Sequence, residues 1–271
     1  MRSSRSIRRI IIGLSCWAGI ALPAAARAGA EAGKDQVLAC AACHVSSDPA
    51  ADAPWLSGQR ETYLARQLAA FKRGDRANPL MSAIARQLSD TDVTTLAAYW
   101  SGQPAARDVT EPDATAVVRR SHMVFPKDFP RGFVLYLTTN NSEKRIVSRL
   151  YINTLGLRAA RANQPLPDGS VIIEANYAVK LGADQRPVVE TDGSWAVTRL
   201  GWYNAREARA GWGSDIPALL RNGNWNYSVF LPDGTPRSQI NQAQCFACHK
   251  PQAAVSYLFS YKELQDSATA K

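Results

Sequence analysis

Two copies of Cys-x-x-Cys-His, at Cys40-Ala41-Ala42-Cys43-His44 and Cys245-Phe246-Ala247-Cys248-His249, constrain this chain more than any other feature. Two thiols three residues apart share one helical turn, where each can add to a vinyl group of the same porphyrin. The next residue carries an imidazole that can ligate the iron, so one turn both attaches the cofactor and supplies an axial ligand. The two motifs therefore predict two covalently bound haem c groups. Cys40, Cys43, Cys245 and Cys248 are the attachment residues, and His44 and His249 the metal ligands. The same cysteines could instead build a four-cysteine zinc site or thioredoxin-like redox pairs. Neither alternative explains why a histidine directly follows both pairs in a chain of 271 residues that holds three histidines.

The N-terminus reads as an export signal, not as structure. Arg2, Arg5, Arg8 and Arg9 precede the apolar run Ile10 to Leu22, whose 13 residues are too few for a typical membrane span. Ala26-Arg27-Ala28 offers a small-x-small cleavage site, so residues 1–28 are expected to leave and Gly29 to begin the mature chain. A twin-arginine signal is one alternative, which the residues around the arginine pair fit poorly; an uncleaved anchor is another. Cleavage removes five Arg and no acid, lowering the excess of basic over acidic side chains from nine to four. Nucleic-acid binding then has no support. Cys16 departs with the signal and haem uses the other four cysteines, so no disulfide is expected despite an oxidising compartment. The expected location is the periplasm, with no membrane span in the mature protein.

The remaining length suits two modest domains. Around Gln103 to Ser121, Pro104, Pro112, small residues and charges interrupt any apolar periodicity. The division read from this is a signal at 1–28, a small all-α domain at 29–103, a linker at 104–121 and a mainly antiparallel α+β domain at 122–271. No internal repeat relates the two, and each holds one motif.

Between Glu31 and Gln103, Leu64, Leu68 and Phe71 repeat at helical spacing. Ser89 with Asp92 reads as a capping box, followed by Val93, Leu96, Ala97 and Trp100 on one face, with Gly102 and Pro104 as stop signals. Met81, in Asn78-Pro79-Leu80-Met81, is expected in a loop 37 residues after His44. Its thioether is a soft, neutral sixth ligand that suits electron transfer; the alternative is a core filler. Beyond Ser121, strands are expected at Phe133–Leu137, Ile146–Ile152, Val171–Tyr177, Trp195–Trp202 and Trp225–Leu231. Pro167-Asp168-Gly169, Thr191-Asp192-Gly193 and Pro232-Asp233-Gly234 punctuate them as turns, and short helices are expected near 158–161 and 245–250. His122 and Met123 are the sole strong sixth-ligand candidates for the iron of His249, and an open distal position is the expectation. Such a haem suits ligand capture or catalysis.

His44, Pro54-Trp55-Leu56-Ser57-Gly58-Gln59, Tyr63-Leu64, Phe71-Lys72-Arg73-Gly74, Met81 and Leu88-Ser89-Asp90 together resemble a small class I cytochrome c. That resemblance implies that the Pro54 carbonyl accepts the proximal imidazole N–H. The second half resembles the cytochrome P-460 family. The residues that carry this are Arg149-Leu150-Tyr151, Pro167-Asp168-Gly169-Ser170-Val171, Asn224-Trp225-Asn226-Tyr227, the motif with Lys250, and Tyr257-Leu258-Phe259. Members of that family include enzymes that oxidise hydroxylamine, and relatives called cytochrome c′-beta bind nitric oxide. The enzymes cross-link a lysine to the haem edge, five residues after the glycine of the Asp-Gly turn. Counted from Gly169, that position holds Glu174, and Lys180 is the next lysine downstream. A carboxylate beside an open iron could act as a catalytic proton acceptor; a solvent-facing strand residue or an ion-pair member is the alternative.

The combined expectation is an exported dihaem cytochrome c. Its His44/Met81 haem would exchange electrons with a His249 haem that binds or oxidises hydroxylamine or nitric oxide, and with an external redox partner protein. A nitric oxide scavenger and a plain two-haem electron shuttle are the alternatives.

Overall fold

The computed structural model describes residues 24–44, 53–104, 113–238 and 240–269. The arginine cluster, apolar run and Cys16 of the expected signal lie outside the described residues, as do the side chains of the cleavage site at 26–28.

The N-terminal part is helical. Helix α1 (Ala24–His44) ends on the first motif. Helix α2 (Glu61–Arg73) has Glu61 in its first turn and Lys72 and Arg73 in its last, the arrangement favoured by the helix dipole. It stops at Gly74, whose φ of 87° is the left-handed conformation that glycine adopts without penalty. Helix α3 (Pro79–Ala85) is capped by the Asn78 side chain, which accepts a hydrogen bond from the Met81 amide at 2.9 Å. Proline at the first helical position reinforces the start. Met81 therefore lies in a short helix and not in the expected loop, because Asn78-Pro79 is itself a helix-start signal. Helix α4 (Asp90–Ser101) opens with the expected capping box: Ser89 Oγ accepts from the Asp92 amide at 3.1 Å, and Asp92 accepts from the Ser89 amide at 2.7 Å. Val93, Leu96, Ala97 and Trp100 are buried on one face, as their spacing requires.

Part of the stretch expected as linker is helical. Helix α5 (Asp113–Arg119) buries Thr115 and Val118 and packs against α1. About two turns with two inward residues carry too little periodicity to be seen in sequence.

The C-terminal part is a five-stranded antiparallel sheet in the order β1 (Phe133–Asn141), β2 (Ile146–Asn153), β3 (Val171–Val179), β4 (Val197–Ala208) and β5 (Trp225–Phe230). Helix α6 (Thr154–Arg161) joins β2 to β3. Gly169, Gly193 and Gly234 all have positive φ, which explains the three Asp-Gly turns. Strand β4 starts later than expected and runs six residues further, past Trp202 to Ala208. Helix α7 (Gln242–His249) carries the second motif, followed by a 3-10 helix (Lys250–Val255) and helix α8 (Tyr261–Thr269), which had no counterpart in the sequence reading.

Alternation along the strands separates two sheet faces. On one face Ile173, Ala175, Tyr203, Ala205 and Phe230 join Met123 and a group of phenylalanines from 125 to 133. On the other, Leu150, Ile152, Ile172, Trp225 and Tyr227 pack with α6, α7 and α8. This second cluster continues into Leu64, Leu88, Leu96 and Trp100 of the N-terminal part, so one apolar core spans both motif-bearing regions.

Candidate haem sites

The first site grows from the end of α1. His44 is 8% exposed, and its Nδ1 donates to the Pro54 carbonyl at 2.7 Å, the contact that the cytochrome c resemblance implies. With Nδ1–H committed, the lone pair of Nε2 is left for a metal. Burial holds the His44 pKa below its usual value, and the Pro54 bond opposes this in part. Burial, followed by the neighbouring Cys43, pushes the Cys40 thiol up to about 12, and burial pushes Cys43 up to about 11. These are neutral, sheltered thiols. The indole Nε1 of Trp55 is sealed from solvent without an acceptor, a donor that a carboxylate-bearing cofactor would satisfy.

The second site rests on α7. Asn241 caps this helix, its Oδ1 accepting from the Ala243 amide at 3.0 Å. Phe246, between the two cysteines, is fully buried and meets the Tyr227 ring edge-on at 5.3 Å, which anchors the motif turn to β5. The His249 ring lies 4.9 Å from Tyr227 in a stacked arrangement and 5.0 Å from Phe259. Its Nδ1 is 2.8 Å from the Tyr257 carbonyl and 3.4 Å from Arg206 Nη1. Guanidinium only donates, so the proton on Nδ1 goes to the shorter carbonyl contact and Nε2 keeps its lone pair. Burial, then the Arg206 charge, bring the His249 pKa down to about 4, leaving a neutral imidazole fit for ligation. Tyr257 and Ser256 both have left-handed backbone, φ 57° and 56°, which costs non-glycine residues about 1–2 kcal/mol each. That turn presents the carbonyl to His249.

A cavity of about 490 Å³ lies against this motif, within the range of small-ligand and cofactor sites. Cys245, Cys248 and His249 line it from α7, Glu174, Asn204 and Arg206 from the sheet, and Leu80 from α3. Glu174 and Asn204 are register partners on β3 and β4, and Asn204 Nδ2 donates to Glu174 Oε2 at 3.3 Å. The Asn204 carbonyl oxygen in turn accepts from Trp202 Nε1 at 3.1 Å. Glu174 is thus a cavity residue, not a solvent-facing one. Lys180 is exposed just beyond β3, and no lysine lines the cavity.

The other candidates are placed elsewhere. Met123 is buried in the cluster on the opposite sheet face, and His122 is exposed beside Trp212, their ring centroids 5.7 Å apart. Met81 is half-buried in α3, which packs against both α2 and α7. Among the described residues no three His, Cys, Asp or Glu side chains gather as a metal-ion site, and the two cysteine pairs lie on separate helices. Paired thiols, committed neutral imidazoles, an orphaned indole N–H and a lined cavity fit covalent haem. Sequence reasoning missed Asn204 and Arg206, and named Leu80 and Tyr257 within motifs without giving either a place in the site. The available signal was polar Asn204 and Arg206 alternating with Tyr203 and Ala205 in a strand, a pattern shared with any solvent-facing edge.

The cytochrome P460 family matches residues 126–260. The thiosulfate dehydrogenase electron acceptor of Thiomonas intermedia is 34% identical over 140 residues, 49% of this chain and 61% of that protein. Cytochrome c4 of Pseudomonas aeruginosa is 31% identical over 112 residues, 41% of this chain and 56% of that protein. The chain thus spans little more than half the length of these two relatives. Cytochrome c-554(548) of Halomonas halodenitrificans is 39% identical over 79 residues, 27% of this chain but 95% of that protein. With a helical part set against an antiparallel sheet and Cys-x-x-Cys-His at the ends of two helices, the chain belongs to the c-type cytochromes that bind haem c covalently, as a cytochrome c domain fused to a cytochrome P460 domain.

Proposed function

We propose that this chain is an exported, periplasmic dihaem cytochrome in which residues 29–103 carry an electron-transfer haem and residues 122–271 carry a haem open to hydroxylamine or nitric oxide. Bound haem iron would supply ligand binding and one-electron chemistry. The protein supplies attachment through Cys40 and Cys43 at one site and Cys245 and Cys248 at the other. His44 and His249 offer Nε2 to the metal, with Pro54 and Tyr257 holding the rings. Met81 would complete the first site with its thioether sulfur. An external redox partner protein exchanges electrons with that site.

One observation carries the reading. The cavity beside His249 has no second histidine or methionine among its lining residues, and both sequence candidates for that role lie elsewhere. Glu174 is held by the Asn204 amide in the same cavity, where its carboxylate can take protons from a bound substrate. The lack of a cavity lysine, the residue that the hydroxylamine-oxidising members of the family cross-link, favours a second reading: nitric oxide capture without turnover.

Intact-mass analysis should show two haem additions. Carbon monoxide added to the reduced protein should shift the spectrum of one haem and spare the other. Steady-state assay with hydroxylamine and an artificial electron acceptor then separates the readings. Turnover supports oxidation, and tight nitric oxide binding without turnover supports capture. No spectral response to carbon monoxide would leave only an electron shuttle.

A further inference from the structure

The cavity beside His249 is not built by the C-terminal part alone. Leu80, from the first residues of α3, lines it together with Gln244, Cys245 and Cys248 of α7. The placement is reinforced by more than one contact. Helix α3 packs along α7. Asn241, while capping α7 through Oδ1, donates Nδ2 to the Ala42 carbonyl at 2.7 Å, so a single amide fastens the second motif helix to the interior of the first motif. Across the same boundary, Gln87 Nε2 donates to the Leu219 carbonyl at 3.3 Å, and Asp35 accepts from the Ala218 amide at 2.7 Å. These bonds tie the N-terminal part, which carries Leu80, to the part that carries the cavity's sheet wall, where Glu174, Asn204 and Arg206 stand among apolar neighbours.

We propose that Leu80 is a specificity-determining wall residue of the second haem pocket. The N-terminal part thereby sets how readily a small uncharged ligand enters and leaves. An isobutyl group is apolar, excludes water and yields only by rotamer change. Its volume therefore controls passage without any bond to the ligand. In an apolar pocket a single methylene of fit is commonly worth about tenfold or more in discrimination.

The inference rests on the reading that the iron of His249 has an open position, and the test separates the two. Carbon monoxide rebinding after flash photolysis is followed in the reduced full-length protein and in Leu80→Ala and Leu80→Phe variants of equal haem content. The expected result is opposite signs: about tenfold faster rebinding in Leu80→Ala and about tenfold slower in Leu80→Phe. A merely structural role would move both variants the same way, and that outcome overturns the proposal. So does rebinding in both variants that matches the parent. If Leu80→Ala does not accumulate, Leu80→Phe alone decides, since slowing supports the wall and no change overturns it. A parent protein that binds no carbon monoxide would overturn the open-haem reading and this inference with it.

Discussion

Glu174 shows how one strand position acquires a chemical identity. In sequence it alternates with Ile173 and Ala175 as an outward residue would, yet it lines a cavity whose opposite wall comes from α7. Its carboxylate accepts from Asn204, whose own oxygen is taken by the Trp202 indole, so the chain from indole to amide to carboxylate fixes its orientation. If Glu174 accepts substrate protons, Glu174→Gln should cut hydroxylamine turnover by about 10²–10⁴-fold while carbon monoxide binding and haem content stay unchanged. Equal turnover in the variant would return Glu174 to a packing role. A second residue has only its backbone to offer. A Cβ at Gly213 would collide with the Gly223 carbonyl, and backbone cannot swing aside as a long side chain can. Gly213→Ala should therefore destabilise the protein by about 1–3 kcal/mol, read from the urea midpoint at unchanged slope.

Elements were legible where local chemistry and periodicity agreed. Helix α4 combines a reciprocal cap with four buried residues on one face, and both signals are contained in adjacent sequence. Ser89→Ala removes the acceptor for the Asp92 amide and should cost about 1 kcal/mol in urea unfolding, with Ser89→Asn close to neutral. The strands were found because β-branched and aromatic runs end at Asp-Gly turns whose glycines need positive φ. Helices α5 and α8 were not found. One has seven residues and the other nine, and tertiary burial of Val118 in the first and Leu264 in the second decides what propensity leaves open. Helix α3 was misread for a different reason. Its cap and proline were present, but a methionine flanked by turn residues suggested a loop.

At the scale of the molecule, two motifs separated by 200 residues share one core. The apolar cluster runs from Trp100 and Leu96 through α7 to the sheet, and Asn241, Gln87 and Asp35 bond across the same boundary. Regions that bury a common core lose each other's burial when either unfolds, so their transitions merge. Calorimetry of the full-length haem-loaded protein should therefore give one cooperative transition, with calorimetric and van't Hoff enthalpies equal. Two resolved transitions would show that the halves fold independently despite the shared cluster. No described helix is long and apolar enough to cross a membrane.

The placing of two thiols and an imidazole on one helical turn is written in adjacent residues, because that spacing is local. Sequence also determined the Pro54 carbonyl contact through resemblance, the α4 cap and the sheet class. Tertiary structure alone decided which distant groups share the second cavity. Leu80, Glu174, Asn204, Arg206 and His249 come from α3, β3, β4 and α7, and nothing in their neighbouring residues records the meeting. The physical reason is that hydrophobic burial fixes how the helices dock on the sheet without directional preference, and the cavity is what that docking encloses.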